Sequence, residues 1–313
     1  MTLKIVNGIS LHSGGGLTYL YFLQKFLDKD KNVLILDYRI KNKISFKKAR
    51  VFLLKKGILR NLKIFVIRLY YYLKYSKKNF SKEEKIVEIY LNGIPPFIRL
   101  PNFETFIFCQ NRLVFQSINF KNIFNLDLLK SELIVLVNKL LLKLFLRNKD
   151  KIIVQTNSMK NVIKKSLNNK IIFQQYIWGD FDLKALNRIR ENVVDNKKLS
   201  NFLKELKRKN ILFFYPAAYY KHKNHLNLIS AFDLLKNSNV KSYKLILTLK
   251  ESQLINDFHS INENIIFLED MSYFEILIIY NYIDYLIFPS FLESYGLPLI
   301  EARLNNIKII ASN

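Results

Sequence analysis

The pattern of hydrophobic residues constrains the fold of this chain more than any other feature. Short apolar runs rich in β-branched residues alternate with longer segments of helical periodicity. We interpret eleven runs as buried strands: Lys4–Val6, Val33–Leu36, Ile86–Tyr90, Phe106–Phe108, Ile152–Val154, Ile171–Phe173, Ile211–Tyr215, Leu245–Leu247, Ile265–Phe267, Tyr285–Phe288 and Lys308–Ile310. Strands that alternate with helices form parallel sheets covered by helices. The sequence therefore predicts an α/β fold of doubly wound, Rossmann-like sheets.

The length of the chain predicts two domains. It has 313 residues, half of them hydrophobic, whereas one domain typically has about 100 to 200 residues. A polar stretch of mixed charge, Gly179–Asn196, follows the last strand of the first half. We therefore predict a first domain over residues 1–185 and a second over residues 186–313, with a cleft between them.

The charge of the chain is strongly positive and unevenly distributed. The net charge is +25, and the stretch from Arg39 to Lys85 holds sixteen Lys and Arg against two Glu. Further along, Lys139, Lys143 and Arg147 are four residues apart and share one helical face beside Leu and Val. Such a face suits anionic lipid headgroups, and the solvated side of an ordinary core helix is an equal alternative. We expect an anionic membrane surface as a partner.

The sequence also bears on the compartment. The most apolar long segment, Leu126 to Leu146, is interrupted by five charged residues, so we do not expect it to span a membrane. The start of the chain lacks the basic and apolar regions of a signal peptide, and the single cysteine, Cys109, cannot form an internal disulfide. These features predict a cytoplasmic protein, peripheral on the inner face of the membrane.

The segment Tyr285–Ser312, YLIFPSFLESYGLPLIEARLNNIKIIAS, contains the strongest candidate site. A strand is followed by a polar loop, and Pro298 is predicted to be the first residue of a helix. The free amides of a helix start beyond a parallel strand can bind a diphosphate. Glu293 and Glu301 can accept hydrogen bonds from vicinal hydroxyls of a sugar and a ribose. Taken alone, each glutamate has an equally good structural explanation.

The motif PSFLESYGLPLIEA resembles the signature of family 4 glycosyltransferases of GT-B fold, in which two glutamates flank a Gly-Leu-Pro helix start. The resemblance implies a hexosyltransferase-type enzyme that moves a sugar from a nucleotide diphosphate sugar with retention of configuration and without an obligatory enzyme nucleophile. It implies that Glu301 binds the ribose hydroxyls and that Glu293 contacts the donor sugar. The other residues implied to meet the sugar and phosphates are Ser294, Tyr295, Gly296 and Leu297.

A second motif, ILFFYPAAYYKHKNHLNLISAFDLL, agrees with the first. It resembles the family's strand, basic loop and helix, in which a lysine before Gly or Asn faces the pyrophosphate; here that residue is Lys223. Many members carry an arginine five residues earlier, where this chain has Ala218. Phosphate neutralisation would then rest on Lys223, with Lys221 as a possible helper, so Lys223 and Glu293 are the predicted catalytic residues.

Two candidate segments lie in the predicted first domain. In HSGGGLTYLYFLQKFL, Gly15 and Gly16 would let the backbone approach a ligand closely before a helix over Leu17–Leu27. The resemblance implies a glycine-rich loop on the acceptor side of the cleft, and a merely tight turn is the alternative. Gln110 and Asn111, which follow another strand, are candidates for sugar contacts on the same grounds.

No metal cofactor is expected. Asp180 and Asp182 form the D-x-D pattern that binds a metal in other transferases, but they lie in the predicted linker. The four histidines, His12, His222, His225 and His259, show no metal-ligand spacing with Cys109. A lysine and a helix N-terminus can stabilise a leaving diphosphate without a metal.

Two rival interpretations have specific motivations. A non-catalytic or degenerate GT-B-fold partner protein is suggested by Ala218 and by the end of the chain at Asn313, where family members continue; this predicts a truncated second domain. A nucleic-acid binder is suggested by the charge, but no known module is recognisable. We therefore expect as partners a nucleotide-sugar donor, a glycan or lipid-linked acceptor of cell-surface polysaccharide synthesis and the membrane, and no nucleic acid.

Overall fold

The computed structural model describes residues 2–12, 14–76, 86–91, 93–115, 126–166, 172–174, 196–236, 242–254 and 262–312. The chain divides into two compact units, Met1–Ile177 and Trp178–Asn313. Each unit contains one parallel sheet with helices between most successive strands, which confirms the predicted α/β class. The predicted boundary at residues 185 and 186 lies outside the described residues.

The first unit contains a seven-stranded sheet in the order β3-β2-β1-β4-β5-β6-β7. Its strands are β1 Lys4–Gly8, β2 Asn32–Asp37, β3 Arg50–Leu54, β4 Ile86–Tyr90, β5 Phe103–Phe108, β6 Lys151–Val154 and β7 Ile172–Gln174. Its helices are α1 Gly14–Leu27, α2 Arg60–Ser76, α3 Leu126–Phe145 and α4 Asn157–Ser166. All six side chains of β2 are buried, as expected for a parallel strand covered on both faces.

The second unit contains a five-stranded sheet in the order β10-β9-β8-β11-β12. Its strands are β8 Ile211–Tyr215, β9 Tyr243–Leu247, β10 Ile265–Phe267, β11 Tyr285–Phe288 and β12 Lys308–Ala311. Its helices are α5 Lys197–Lys209, α6 His225–Lys236, α7 Tyr273–Ile279 and α8 Leu297–Leu304. Strands β9 and β10 lie on one side of β8, whereas β11 and β12 lie on its other side. The direction in which the sheet is built therefore reverses between β8 and β11.

The structure corrects the sequence predictions in three places. Strand β3, Arg50–Leu54, was not predicted, because a charged first residue and half-buried side chains at the sheet edge weaken its apolar signal. Helix α1 begins at Gly14 and not at Leu17. Helix α8 begins at Leu297, so Pro298 is its second residue; the first turn still suits proline, since its amides have no partner within the helix.

No helix in the described ranges is both long and apolar enough to cross a bilayer.

Candidate functional site

The candidate site lies where the second sheet reverses its winding. The chain leaves β8 and β11 at their carboxyl ends and forms two loops, residues 216–224 and residues 289–296. Ligands of open α/β sheets bind in the crevice at such a switch point. The strand order therefore brings together two loops that are about seventy residues apart in sequence, one with Lys223 and the other with Glu293.

Two hydrogen bonds fix these two loops against each other. The amide of Phe291 donates to the carbonyl of His222 at 2.9 Å. The side-chain amide of Asn224 donates to the carbonyl of Pro289 at 3.1 Å. Asn224 has φ of 61°, a left-handed conformation that asparagine tolerates better than most residues. The loop that carries Lys223 is thus held in place directly by the loop after β11.

A buried tyrosine forms hydrogen bonds with both of these loops. The hydroxyl of Tyr215, the last residue of β8, donates to the carbonyl of Lys223 at 2.8 Å. The hydroxyl of Ser290 lies 2.7 Å from the hydroxyl oxygen of Tyr215, within hydrogen-bond distance. Ser290 is itself tied to the end of β12, because the Ser312 hydroxyl donates to the Ser290 carbonyl at 2.9 Å. Three adjacent strands therefore determine the position of the Lys223 backbone.

The side chains of Lys223 and Glu293 form an ion pair across the two loops. Lys223 Nζ lies 2.5 Å from Glu293 Oε1. The side chains keep 19% and 25% of their surface exposed, so the pair is shielded but still accessible to a ligand. Charge-assisted hydrogen bonds in such partly shielded places are stronger than pairs in open water. The structure thus brings the two predicted catalytic residues together.

The start of helix α8 provides backbone donors next to this pair. Gly296 caps the helix with φ of 75°, a conformation that costs little only for glycine. A Cβ at this position would lie 3.0 Å from Leu299 Cδ1, which adds a steric reason for glycine. The neighbouring residues Ser294, Tyr295 and Leu297 are half-buried in the loop and the first turn. The free amides at the start of a helix can bind an anion.

Glu301 is a buried carboxylate within the same helix. Its side chain is 3% exposed, and the Tyr280 hydroxyl donates to Oε2 at 3.1 Å. Its other oxygen, Oε1, is buried without a hydrogen bond in the part of the chain that the structure describes. Burial raises the pKa of Glu301 to about 7, and the hydroxyls of Tyr280 and Tyr273 offset only part of that increase. Glu301 can therefore exchange a proton near neutral pH.

The histidines of the basic loop add no charge to the site. The ring of His225 packs between Tyr215 and Tyr219, with ring centroids 4.9 and 5.7 Å away. Burial lowers the pKa of His225 to about 4, so its ring is neutral at physiological pH. Burial also lowers the pKa of His222, with the Lys223 cation as a second cause. Lys223 is therefore the cation that the loop holds against Glu293.

The candidate residues of the first unit also follow carboxyl ends of strands. Gly15 and Gly16, predicted to form a glycine-rich loop after β1, instead lie in the first turn of α1. A helix can begin there because Gly14 adopts φ of 52°, and Gly15 has open space around its Cα. Gln110 and Asn111 follow β5; the Gln110 side-chain nitrogen is buried and has no hydrogen bond to any described residue.

Among the residues that the structure describes, no group of three His, Cys, Asp or Glu side chains is placed to hold a metal ion. Asp180, Asp182 and His259 lie outside those residues.

The sequence reasoning missed Tyr215, Asn224 and Tyr280. Tyr215 and Tyr280 read as apolar members of a strand and of a helix end, and only the fold shows that their hydroxyls reach Lys223 and Glu301. Asn224 carried a usable signal, since asparagine between a basic turn and a helix is typical of a left-handed residue.

Two Rossmann-like units with parallel sheets, the second with a helix N-terminus and a lysine at its switch point, define the GT-B class of fold. Residues 195–313 match the family model described as Glycosyl transferases group 1. The chain has this fold, and its second unit is similar to the glycosyl transferases of that family model. No curated protein matches the chain by sequence.

Solved structures show the same fold at low sequence identity. An α,α-trehalose-phosphate synthase (UDP-forming) from Burkholderia xenovorans has a TM-score of 0.63 at 8% identity, covering 100% of this chain and 85% of that one. WaaG, a glycosyltransferase involved in lipopolysaccharide biosynthesis, has a TM-score of 0.60 at 11% identity, with 99% and 80% covered. The sucrose-phosphate synthase of Thermosynechococcus elongatus has a TM-score of 0.60 at 12% identity, with 99% and 81% covered.

Proposed function

We propose that the protein transfers a sugar, with retention of configuration, from a nucleotide diphosphate sugar to a glycan or lipid-linked acceptor. The observation that carries this proposal is the ion pair of Lys223 and Glu293 beside the start of α8, with the buried carboxylate of Glu301 in the same helix. In this proposal, Glu293 contacts the sugar, Lys223 and the start of α8 contact the diphosphate, and Glu301 contacts the ribose.

In this proposal, Lys223 and the first amides of α8 stabilise the leaving diphosphate. Glycosyl transfer passes through an oxocarbenium-like state while negative charge develops on the leaving group. Preorganised cations and amides at that position lower the barrier most, because they are in place before the charge appears. Neutralisation by Lys223 and backbone amides requires no metal ion, and we propose none. When Lys223 pairs with the phosphates, Glu293 would leave the ion pair. Its carboxylate could then accept a hydrogen bond from a hydroxyl of the donor sugar.

Glu301 is proposed to bind the ribose. Its unpartnered Oε1 is an acceptor that a ribose hydroxyl can satisfy, while Tyr280 holds Oε2. A buried acceptor without a partner costs about 1 to 3 kcal/mol, so a hydroxyl that fills it gains binding energy. Hydrogen bonds from ribose hydroxyls favour the ionised carboxylate. The nucleotide sugar should therefore bind more tightly as the pH rises through about 7, the pKa of Glu301 in the free protein.

We also propose residues for the acceptor side and a location for the protein. Gly15, Gly16, Gln110 and Asn111 are the candidate contacts on the acceptor side. WaaG acts in lipopolysaccharide biosynthesis, and its similarity in fold supports a role in cell-surface polysaccharide synthesis. The basic residues of the first unit support a position on the inner, cytoplasmic face of an anionic membrane.

One observation favours a second candidate, a partner protein that binds a nucleotide sugar without transferring it. Ala218 occupies the position where many similar enzymes carry a second phosphate-binding cation, and it is exposed. The loop of Lys223 would then bind the diphosphate with less stabilisation of the transition state.

Donor hydrolysis and transfer with a panel of UDP-, GDP- and dTDP-sugars test the proposal. We expect turnover with at least one donor and a lower kcat/KM for that donor in Lys223→Met and in Glu301→Gln. Lys204→Met and Glu205→Gln, on the exposed side of α5, are matched controls that should keep full activity. Full activity in both site variants would contradict the assignment of the donor site. Donor binding without turnover would favour the non-catalytic candidate.

A further inference from the structure

Helix α2 presents an apolar face to solvent, which is unusual for a helix that packs on a sheet. Its inner side is formed by Ile64, Arg68 and Tyr71, which are buried against the first sheet. On the opposite side, spaced three or four residues apart, four large side chains are between 48% and 57% exposed: Leu62, Val66, Tyr70 and Leu73. The outer stripe is therefore as apolar as the inner one, and no described residue covers it fully.

The turn that leads into α2 extends this face. Lys55 and Lys56 precede Gly57, and then Ile58 is 100% exposed and Leu59 is 61% exposed. An isoleucine without any surface buried gains nothing for folding, because apolar side chains stabilise a fold only by leaving water. Ile58 is therefore available to leave water in contact with something other than its own chain.

Helix α3 carries a second outward apolar stripe. Leu133, Val137, Leu140 and Leu144 are between 43% and 73% exposed, while Leu142 on the opposite side is in the core. They repeat at i, i+4, i+7 and i+11, the spacing of one helical face. The basic face predicted here is only partly on this helix: Lys143 is exposed and Lys139 half-buried, whereas Arg147 is exposed beyond the helix end at Phe145.

Both helices lie on the same face of the first sheet. Ile86 of β4 packs in the core cluster under α2, and Ile107 of β5 packs in the cluster under α3. Tyr90, four residues after Ile86, shares its face, and Tyr90 is paired with Ile107. Between the helices, exposed Phe97 stacks edge-on against Phe145 at 4.7 Å, and the carbonyl of exposed Ile98 accepts a hydrogen bond from Arg68. We call the exposed apolar residues of α2, α3, the 58–59 turn and the 97–98 segment the docking face.

The charge around the docking face selects its partner. Residues 38 to 76 contain twelve Lys and Arg and no Asp or Glu. Lys55, Lys56, Lys63 and Lys74 are exposed on the turn and on α2. Arg68 is the buried exception and is paired with Glu88 at 2.5 Å. The α2 part of the docking face thus has a cationic border, with no acidic residue from 38 to 76. This pattern matches the boundary of anionic headgroups and acyl chains.

We propose that the docking face inserts shallowly into an anionic bilayer, with Ile58 and the α2 stripe among the acyl chains and the lysines at the phosphates. The lysine stems reach outward along the apolar stripe to place their ammonium groups at the headgroups. This inference specifies the membrane contact of the proposed function and relies on it only for the lipid-linked acceptor. It uses no residue of the donor site.

Vesicle sedimentation tests the proposal directly. We expect the protein to bind vesicles of phosphatidylglycerol and phosphatidylcholine and to bind pure phosphatidylcholine at least tenfold more weakly. Ile58→Asp combined with Val66→Asp should lower the partition coefficient at least tenfold, and Lys55→Gln about fivefold. Leu234→Asp is the matched control, since Leu234 is 74% exposed on α6 of the second unit and should not affect binding.

A second measurement covers the case in which the double variant misfolds. A polarity-sensitive dye on Val66→Cys should shift to the blue with anionic vesicles, whereas the same dye on Leu234→Cys should not. The native Cys109 is buried, and burial raises the pKa of its thiol to about 12, so the dye should not label it. Equal binding to neutral vesicles, an unshifted dye, or a dimer in lipid-free solution that Val66→Asp dissociates would overturn the proposal. Hydrolysis of a soluble nucleotide sugar should be unchanged in these variants, which separates a failure of this inference from a failure of the donor site.

Discussion

Replacing Glu301 by glutamine should change how the stability of the protein depends on pH. The carboxyl of Glu301 is 3% exposed, and burial raises its pKa from 4.5 to about 7. In the unfolded chain the same group ionises near its ordinary value of about 4.3. Glutamine has nearly the same shape, stays neutral at every pH and can still accept a hydrogen bond from Tyr280.

The magnitude and sign follow from that increase in pKa. One pKa unit corresponds to about 1.36 kcal/mol, so the step from 4.5 to about 7 amounts to about 3 kcal/mol. Between these two values the folded state keeps a proton that the unfolded state has lost. The free energy of unfolding of the wild type therefore falls as the pH rises through this window and stays lower above it. Glu301→Gln lacks the titrating carboxyl and should not lose this stability. Between pH 4.5 and pH 8, the free energy of unfolding of the variant should therefore increase by about 3 kcal/mol relative to that of the wild type.

Urea denaturation at pH 5, 6, 7 and 8 measures this difference. The quantity of interest is the change with pH of the gap between wild type and Glu301→Gln, since every other titrating group contributes equally to both. Glu205→Gln, at an exposed glutamate of α5, should run parallel to the wild type. If the wild type and Glu301→Gln also keep a constant gap from pH 5 to 8, the carboxyl titrates normally and the reasoning about its burial is wrong.

Three further changes test the architecture of the site. Lys223→Met removes the cation from the ion pair and should lower kcat/KM for the donor about 10- to 100-fold in steady-state kinetics, as expected for a charge-assisted hydrogen bond of about 1.5 to 3 kcal/mol; an unchanged value would rule out contact with the diphosphate. Gly296→Ala should lower the stability by about 1 to 2 kcal/mol in urea titration, because φ is 75° there, whereas Gly57→Ala, where φ is not positive and space is open, should change it little. Tyr215→Phe should cost about 1 to 3 kcal/mol, since the carbonyl of Lys223 loses its donor; equal unfolding midpoints would show that this hydroxyl does not hold the loops.

The sequence predicted most strands because a buried parallel strand is an uninterrupted apolar run. Four of the predicted strands have the bounds that the structure shows: Ile86–Tyr90, Ile211–Tyr215, Ile265–Phe267 and Tyr285–Phe288. Strand β3 was missed because an edge strand buries its side chains only partly. An uninterrupted apolar run indicates that a strand is buried on both faces of the sheet. Such a run is weaker in an edge strand, whose side chains are only partly buried.

The candidate site was predicted as separate motifs and not as a network. The Gly-Leu-Pro turn and Lys223 are local patterns, so spacing and residue type were enough to find them. The ion pair with Glu293 and the hydroxyls of Tyr215 and Tyr280 depend on strand order and side-chain depth, which no local pattern contains. The raised pKa of Glu301 could not be predicted for the same reason, because it results from the exclusion of water in the folded unit.

The pairing of β8 with β11 has a consequence for engineering. Tyr285 is paired with Phe213 and Leu286 with Phe214, so the two strands are registered upstream of both loops of the site. Replacing either loop by a loop from another protein would leave that register unchanged, provided that Tyr215 is kept before the first loop and Ser290 before the second. The candidate site can thus be treated as two cassettes, one from 216 to 224 and one from 291 to 296, that can be diversified separately in a selection for binding of nucleotide sugars.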